Sequence, residues 1–117
     1  MDATVPEMAF PADGVKQVER YCEAHVPADM RSQMRLEHSV RGNAITIVER
    51  RPPWREDFGP EWSSSKVAQL RYDGGLWTLY CPDSNGRWWR YDEAVPASDI
   101  APLLAALEED VTGIFWG

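Results

Sequence analysis

Arginines and aromatic residues carry the chemistry that this sequence suggests first. All six basic residues between positions 31 and 55 are arginines, the side chain best suited to bidentate carboxylate or phosphate binding. The strand pattern described below places arginine and aromatic residues together on one face of a sheet: Arg35, Arg41, Arg50, Arg71, Arg90, Tyr80 and Trp88. Sheets with stacking aromatic rings beside arginines can hold single-stranded nucleic acid. The set therefore predicts a surface for an anionic partner, either a nucleic acid or an acidic protein.

The alternative for this face is a solvated surface whose charge is neutralised locally. Glu37, Glu49 and the acidic loop that follows could supply the negative charge, and surface charges usually do no more than remain solvated. The expected pairing sets Arg35 opposite Arg50, and like charges directly opposite each other destabilise a sheet. An anion between these two arginines would remove that cost.

A second candidate is the loop expected over residues 52–65, which contains Trp54, Phe58 and Trp62. Loops of this length in compact domains are usually functional or disordered. Exposed aromatic residues are typical anchors of protein interfaces, so this loop or the arginine face could join two copies as a homodimer. The alternative is that the three rings cover one end of the sheet as additional core.

Two cysteines and two histidines could in principle form a zinc site. Cys22 and His25 are three residues apart on the first expected helix, and His38 and Cys81 face that helix from expected strands. Free cysteines are more often small core residues. We therefore expect reduced cysteines and no bound metal or other cofactor. A start without an export signal predicts a cytoplasmic protein.

The sequence contains no Gly-x-Ser-x-Gly elbow, no phosphate-binding glycine loop and no His-Glu-x-x-His motif. The adjacent carboxylates Glu56 and Asp57 are typical of a solvated loop. Glu49, Asp73 and Lys66 come nearest to the acidic residues and lysine of a metal-dependent nuclease, and they match that pattern poorly. We expect a non-catalytic binding module. A homodimeric interaction protein and a small metal-dependent hydrolase or nuclease are the alternatives.

The first half of the chain predicts one helix and one hairpin. Apolar residues recur with helical spacing over residues 14–26, with Asp13 as the expected cap. Residues 34–41 alternate as a half-buried strand, and the turn at residues 42–43 leads into a β-branched strand over residues 44–50. The tight turn fixes the register: Val40 opposite Ile45, His38 opposite Ile47, Leu36 opposite Glu49, Ser39 opposite Thr46, Glu37 opposite Val48 and Arg35 opposite Arg50.

The second half predicts another hairpin over residues 66–81 and a short last strand over residues 87–91. The last strand can pair in two registers, because a one-residue slip reverses its faces. We favour a three-residue loop with Gly86 in the left-handed region, since this register buries no arginine. It divides the strand between the two faces as follows: Trp89 and Tyr91 inside, Trp88 and Arg90 outside.

A final helix is expected over residues 100–111, with Asp99 as its cap and Val111 as the last member of its apolar stripe. Gly113 then lets the tail over residues 114–117 turn back onto the body. The order of elements predicts an α+β two-layer sandwich. In it an N-terminal and a C-terminal helix cover one face of an antiparallel sheet of about five strands.

Length and composition fit one globular domain over residues 1–117, with a loose lead-in over residues 1–12. The chain has a mass of 13.3 kDa, and 44% of its residues are hydrophobic and 26% charged, which are globular values. No apolar run is long enough to cross a bilayer, so no membrane association is expected. The net charge is −7, but residues 31–55 carry six basic and two acidic residues. Local anion recognition is therefore compatible with an acidic chain.

Three stretches together resemble a known family: residues 47–54 (IVERRPPW), residues 77–80 (WTLY) running on to Arg90-Tyr91-Asp92, and the ending at residues 112–117 (TGIFWG). In that order they are similar to the domain of unknown function 3024 family, short bacterial proteins with no assigned activity. The resemblance extends from about residue 15 onward. It implies an intact single domain in a soluble bacterial protein and no particular chemistry.

Overall fold

The structure is a computed structural model that describes residues 11–53, 55, 57 and 59–116. Most of the lead-in expected over residues 1–12 lies outside these described residues. The elements follow one another in this order: α1 (Ala12–His25), a 3-10 turn (Ala28–Met30), β1 (Arg35–Arg41), β2 (Ala44–Arg51), β3 (Ser63–Asp73), β4 (Leu76–Pro82), β5 (Trp88–Arg90) and α2 (Ala101–Glu109).

The five strands form one antiparallel sheet in the order β1-β2-β3-β4-β5, so each strand pairs with its neighbours in sequence. The α+β class with an N-terminal and a C-terminal helix is therefore confirmed. All six residue pairs expected for the first hairpin are present. Gly42 takes a φ of 59°, in the left-handed region that a two-residue hairpin turn requires.

The favoured register of the last strand is also confirmed. Asp83 N–H donates to the Arg87 carbonyl at 2.8 Å across a three-residue loop, in which Gly86 has a φ of 78°. Trp89 pairs with Cys81 on the inner side, and Tyr91 is buried. The side chain of Trp89 is nevertheless 57% exposed, so the expectation that it is buried inside is wrong. The Trp89 indole instead donates to Asp83 Oδ2 at 2.8 Å in the β4–β5 loop.

The loop after β2 is shorter than the predicted 52–65. Ser63, Ser64 and Ser65 already belong to β3 and pair with the end of β2. The register shifts between Ile47 and Val48 of β2. The buried Val67 is the extra, unpaired residue of β3 at this β-bulge. A row of serines has no apolar alternation, and for this reason the start of β3 was not predicted.

Both helices pack on the face of the sheet that carries the buried strand residues, which we call the inner face. The core combines the two helices with alternate residues of the strands: Val18, Cys22, Leu36, Ile45, Ile47, Leu70, Trp77, Leu79, Leu103 and Leu107, among others. At Gly14 the helix backbone comes so close to Trp77 that an added Cβ would lie 2.5 Å from the ring. The opposite side of the sheet, the outer face, is left uncovered by either helix.

The ends of the helices differ from expectation. Asp13 lies in the first turn of α1 rather than before it, and it accepts a bond from Gln17 Nε2 at 2.6 Å. Asp99 does accept a bond from the Ala101 N–H at 3.1 Å at the start of α2. Val111 was expected in the apolar stripe, but α2 ends at Glu109 and Val111 is exposed. None of the helices in the described ranges is long and apolar enough to cross a membrane.

Candidate anion-binding face of the sheet

The outer face is built by the strand residues that alternate with the core positions. The observed pairing places Arg35, Arg41, Arg50, Arg71, Arg90, Tyr80 and Trp88 on this side, as the sequence predicts. Lys66, which pairs with Val48, is on the same face. The six basic strand residues are accompanied here by two acidic ones, Glu37 and Asp73. The outer face therefore carries a net charge of +4 on a chain of net charge −7.

Arg71 lies on the central strand, near the β3–β4 turn, and its guanidinium contacts two neighbouring side chains. Its Nε donates to Gln69 Oε1 at 2.6 Å, and the other end of that amide donates to Thr46 Oγ1 at 2.9 Å. The guanidinium carbon lies 3.9 Å from the centre of the Tyr80 ring, a cation–π distance. Within the described ranges, no carboxylate forms an ion pair with Arg71. Its remaining guanidinium N–H groups are donors that an external acceptor could bond.

A second aromatic ring lies beside this arginine. Lys66 Nζ donates to the Gly86 carbonyl at 2.9 Å and lies 5.5 Å from the centre of the Trp88 ring. Between the two cation–aromatic pairs the surface forms a shallow cavity of about 530 Å³. Its walls combine hydrogen-bonding and apolar groups: Asn43, Ala44, Gln69, Arg71, Asp73, Leu76, Thr78, Tyr80, Trp88 and Pro96.

The arginines at the β1 end of the face are satisfied within the chain. Arg35 and Arg50 are directly paired. Arg50 bonds Glu37 at 3.3 Å and the Ser63 carbonyl at 3.3 Å, whereas Arg35 lies 4.4 Å from the Trp62 ring centre. Partners within the chain thus already lower the cost of placing these two arginines opposite each other. Of the predicted aromatic loop, half-buried Trp62 covers Arg35, whereas Trp54 and Phe58 lie outside the described residues.

The two remaining predicted arginines are exposed. Arg90 lies 3.9 Å from Asp92, a long ion pair at the surface, and such pairs contribute little to stability. Arg41 forms no ion pair or side-chain hydrogen bond within the described part of the chain. It lies in the same row as Arg71, because both flank Ala44 across three strands. Arg41 and Arg90 thus lie on the two edge strands of the outer face, with Arg71 on the central strand between them.

On the other side of the molecule, a tail cluster joins the helices to the C-terminal residues. It consists of Tyr21, His25, Glu108, Asp110 and Trp116. Glu108 Oε1 accepts bonds from the Tyr21 hydroxyl at 2.8 Å and from His25 Nδ1 at 3.1 Å, and the His25 ring stacks on Trp116 at 4.3 Å. A groove of about 300 Å³ between α1 and α2 lies beside it.

The tail cluster also fixes the turn after α2. Asp110 has a φ of 49° and uses its carboxylate to accept the backbone N–H groups of Phe115 and Trp116, at 3.0 and 2.8 Å. The Trp116 indole donates to the Leu107 carbonyl at 3.0 Å. The predicted return of the tail onto the body is therefore present. Sequence reasoning missed the contacts between the two helices in this cluster, since Tyr21 and His25 are far from Glu108 and Trp116 in the sequence and come together only in the folded chain.

Hydrogen bonding shifts two pKa values in the tail cluster. The bond from Tyr21 lowers the pKa of Glu108, and His25 acts in the same direction, whereas partial burial opposes them. Burial, followed by the bond to Glu108, raises the pKa of Tyr21 far above its usual range. Both shifts hold the tyrosine neutral and the glutamate ionised at neutral pH.

Comparison with known proteins places the chain in a family. Residues 6–117 match the family described as "Domain of unknown function (DUF3024)". The chain belongs to this family. The DUF3024 match spans both the outer face and the tail cluster and confirms the resemblance noted from the sequence. No curated protein and no solved structure matches the chain.

The cysteine and histidine residues of this DUF3024 chain do not converge on one site. Cys22 and Cys81 are free and buried in the core. Burial raises the pKa of both thiols, that of Cys22 to about 12. His25 instead belongs to the tail cluster. Within the described ranges, no group of three or more histidine, cysteine, aspartate or glutamate side chains could hold a metal ion.

The residues considered for a nuclease are also separated. Glu49 bonds Arg51 at 2.9 Å on the side of the sheet opposite Lys66. Lys66 and Asp73 are seven residues apart on one strand, which corresponds to about 23 Å. A catalytic site made from all three residues is therefore excluded. In the loop, Asp57 pairs with Arg55 at 2.8 Å, and Glu56 lies outside the described residues.

Proposed function

We propose that this protein is a non-catalytic binding module that holds an anionic partner on the outer face of its sheet. The observation that carries the proposal is Arg71, a half-buried guanidinium bonded to Gln69 and stacked on Tyr80, with no ion-pair partner in the described ranges. Keeping a charge at this position costs desolvation that an internal partner would offset. An external anion, phosphate or carboxylate, would supply the missing contacts.

The charge distribution supports the same proposal. The outer face carries +4 while the whole chain carries −7, so the acidic charge is concentrated elsewhere on the molecule. A positive face on an acidic protein attracts anions locally and repels them from the remaining surface. Two free, buried cysteines fit the reducing cytoplasm that we propose as its location.

Heparin, a polyanion without bases or peptide groups, tests the proposal. We expect the unmodified protein to be retained on a heparin column and to elute with salt. The double substitution Arg41→Ala and Arg71→Ala should elute at clearly lower salt, because it removes two charges from one row of the outer face. The matched control is Lys16→Ala with Arg20→Ala, which removes two charges from exposed positions of α1.

Two results would contradict the proposal. One is that the unmodified protein passes through heparin at low salt without retention. The other is that the helix control loses as much retention as the substitutions on the outer face. In the second case only the net charge of the chain would matter, and the sheet would have no special role.

Self-association is the second candidate function. Trp89 and Val95 are 57% and 81% exposed, next to the short edge strand β5, and exposed tryptophans are typical of interface centres. Sedimentation over a dilution series tests this candidate. We expect a mass that changes with concentration if two copies associate, whereas a monomer at every concentration excludes the homodimer.

A further inference from the structure

We propose that the partner is a single-stranded nucleic acid, one base of which stacks between Tyr80 and Trp88 while its phosphates contact the surrounding arginines. This inference rests on the proposed function and deepens it. An acidic protein surface would use the same arginines, whereas a nucleic acid would in addition stack a base on the two aromatic rings that line one cavity. The rings are therefore the feature that distinguishes the two partners.

The two rings are neighbours on the outer face. Tyr80 on β4 pairs with Arg90, so Trp88 on β5 is its diagonal neighbour on the same face. The backbones of diagonal neighbours in an antiparallel pair are about 7–8 Å apart, and the Tyr80 and Trp88 side chains line the same cavity. A base between the two rings would contact both of them.

Each of the two rings has a cation close to it. Arg71 reaches Tyr80 from β3, whereas Trp88 belongs to β5 on the other side of the strand that carries Tyr80. Lys66 lies near Trp88 and is anchored to the Gly86 carbonyl. We place the base on the side of Tyr80 away from Arg71. Both rings are thus supported by a cation and available for stacking.

Phosphate contacts are available on both sides of the rings. Arg71 and Arg41 occupy one row across three strands, with backbones about 10 Å apart. Arg90 pairs with Tyr80 on the β5 side. A strand that crosses the sheet from β5 towards β1 would meet these three guanidinium groups in turn.

The two amide side chains in the walls of the cavity are already used within the chain. Gln69 uses its amide oxygen for Arg71 and its amide nitrogen for Thr46. Asn43 donates its amide to the Tyr72 carbonyl. Stacking on an aromatic ring is tolerant of base identity, and these amides already form hydrogen bonds within the chain. We therefore expect the protein to bind single strands with no strong preference among bases.

The test measures binding of a fluorescein-labelled ten-nucleotide oligothymidylate by fluorescence anisotropy. Poly-L-glutamate is used in two ways, as a competitor of the oligonucleotide and as a second ligand whose own binding is measured. Trp88→Leu keeps the charge of the face and removes one stacking ring. We expect it to weaken oligothymidylate binding about tenfold and to leave poly-L-glutamate binding unchanged. Trp88→Phe should restore most of the affinity, since it restores an aromatic ring.

The control is Ile114→Ala, which removes an apolar side chain that is 51% exposed in the C-terminal tail. It should leave oligothymidylate binding unchanged. A DNA duplex of ten base pairs should bind more weakly than the single strand, because its bases are already stacked on one another.

The possible failures are distinguishable. If heparin and poly-L-glutamate bind but oligothymidylate does not, or if Trp88→Leu binds oligothymidylate as tightly as the unmodified protein, the nucleic-acid inference is overturned and the anionic proposal stands. Equal binding of duplex and single strand also overturns the inference. If none of these polyanions binds, both the inference and the proposed function fail.

Discussion

The outer face and the tail cluster both combine aromatic rings with charged groups, and they differ in how those groups are satisfied. In the tail cluster, Glu108 accepts two side-chain bonds and Asp110 accepts two backbone bonds. On the outer face, Arg71 has one hydrogen bond and one ring contact, and no ion pair in the described ranges. Polar groups that are satisfied internally stabilise a fold, whereas groups that are held in place but incompletely bonded are available for a ligand.

This contrast predicts that substitutions in the two regions have opposite consequences. The largest effect is expected for Trp116→Ala, which removes the stack on His25 and the bond to the Leu107 carbonyl. We expect a loss of about 3 kcal/mol in the free energy of unfolding, measured by urea denaturation. Heparin retention of the folded variant should be unchanged. A variant as stable as the unmodified protein would show that the tail is not a structural element.

The next effect concerns the arginines of the outer face. Arg71→Ala should weaken binding to heparin about tenfold, or about 1.4 kcal/mol, with little change in stability. Arg35→Ala should have a smaller effect on binding, because Arg35 is already engaged by Trp62 and the Arg31 carbonyl. Affinities of both variants measured by titration provide the check. A larger effect for Arg35 would move the binding site to the β1 end.

The smallest effect is a pH dependence in the tail cluster. The pKa of Glu108 is lowered in the folded state, so its contribution to stability is present above the unfolded pKa of about 4.3 and is lost as the pH falls through the folded pKa. We expect well under 1 kcal/mol, because this carboxylate is mostly exposed. Glu108→Gln should narrow the difference in unfolding free energy between pH 6 and pH 3. An unchanged difference would contradict the role given to Glu108, and Tyr21→Phe serves as the control that removes the largest cause of the shift.

Much of the fold could be predicted because short turns and alternation act locally. The turn at Gly42 determined every pair of the first hairpin, and the preference against burying Arg90 selected the correct register of β5. The start of β3 could not be predicted, since Ser63 and its neighbours carry no alternating pattern. The exposure of Trp89 could not be predicted either, because alternation gives the face of a residue and not the extent of the layer that covers it.

For the candidate site, too, alternation could predict the face on which each residue lies and nothing about its side-chain contacts. Alternation assigned five arginines to one face, and the structure agrees: Arg35, Arg41, Arg50, Arg71 and Arg90. It could not separate Arg50, which bonds Glu37, from Arg71, which stacks on a diagonal neighbour, because both environments depend on side-chain conformations across strands. The helix-to-helix part of the tail cluster could not be predicted, since the hydrogen bonds of Glu108 to Tyr21 and His25 join residues more than 80 positions apart.

The sequential order of the strands also bears on how the chain folds. Each strand can pair with the one before it as a hairpin, so the sheet forms by closing short loops at a small cost in chain entropy. The contacts between α1 and the tail, in contrast, connect the two ends of the chain and require the sheet to be in place. The tail cluster would therefore form late, and its bonds would slow unfolding much more than they speed folding. These terminal residues therefore mainly slow the unfolding of a sheet that has already formed before they make their contacts.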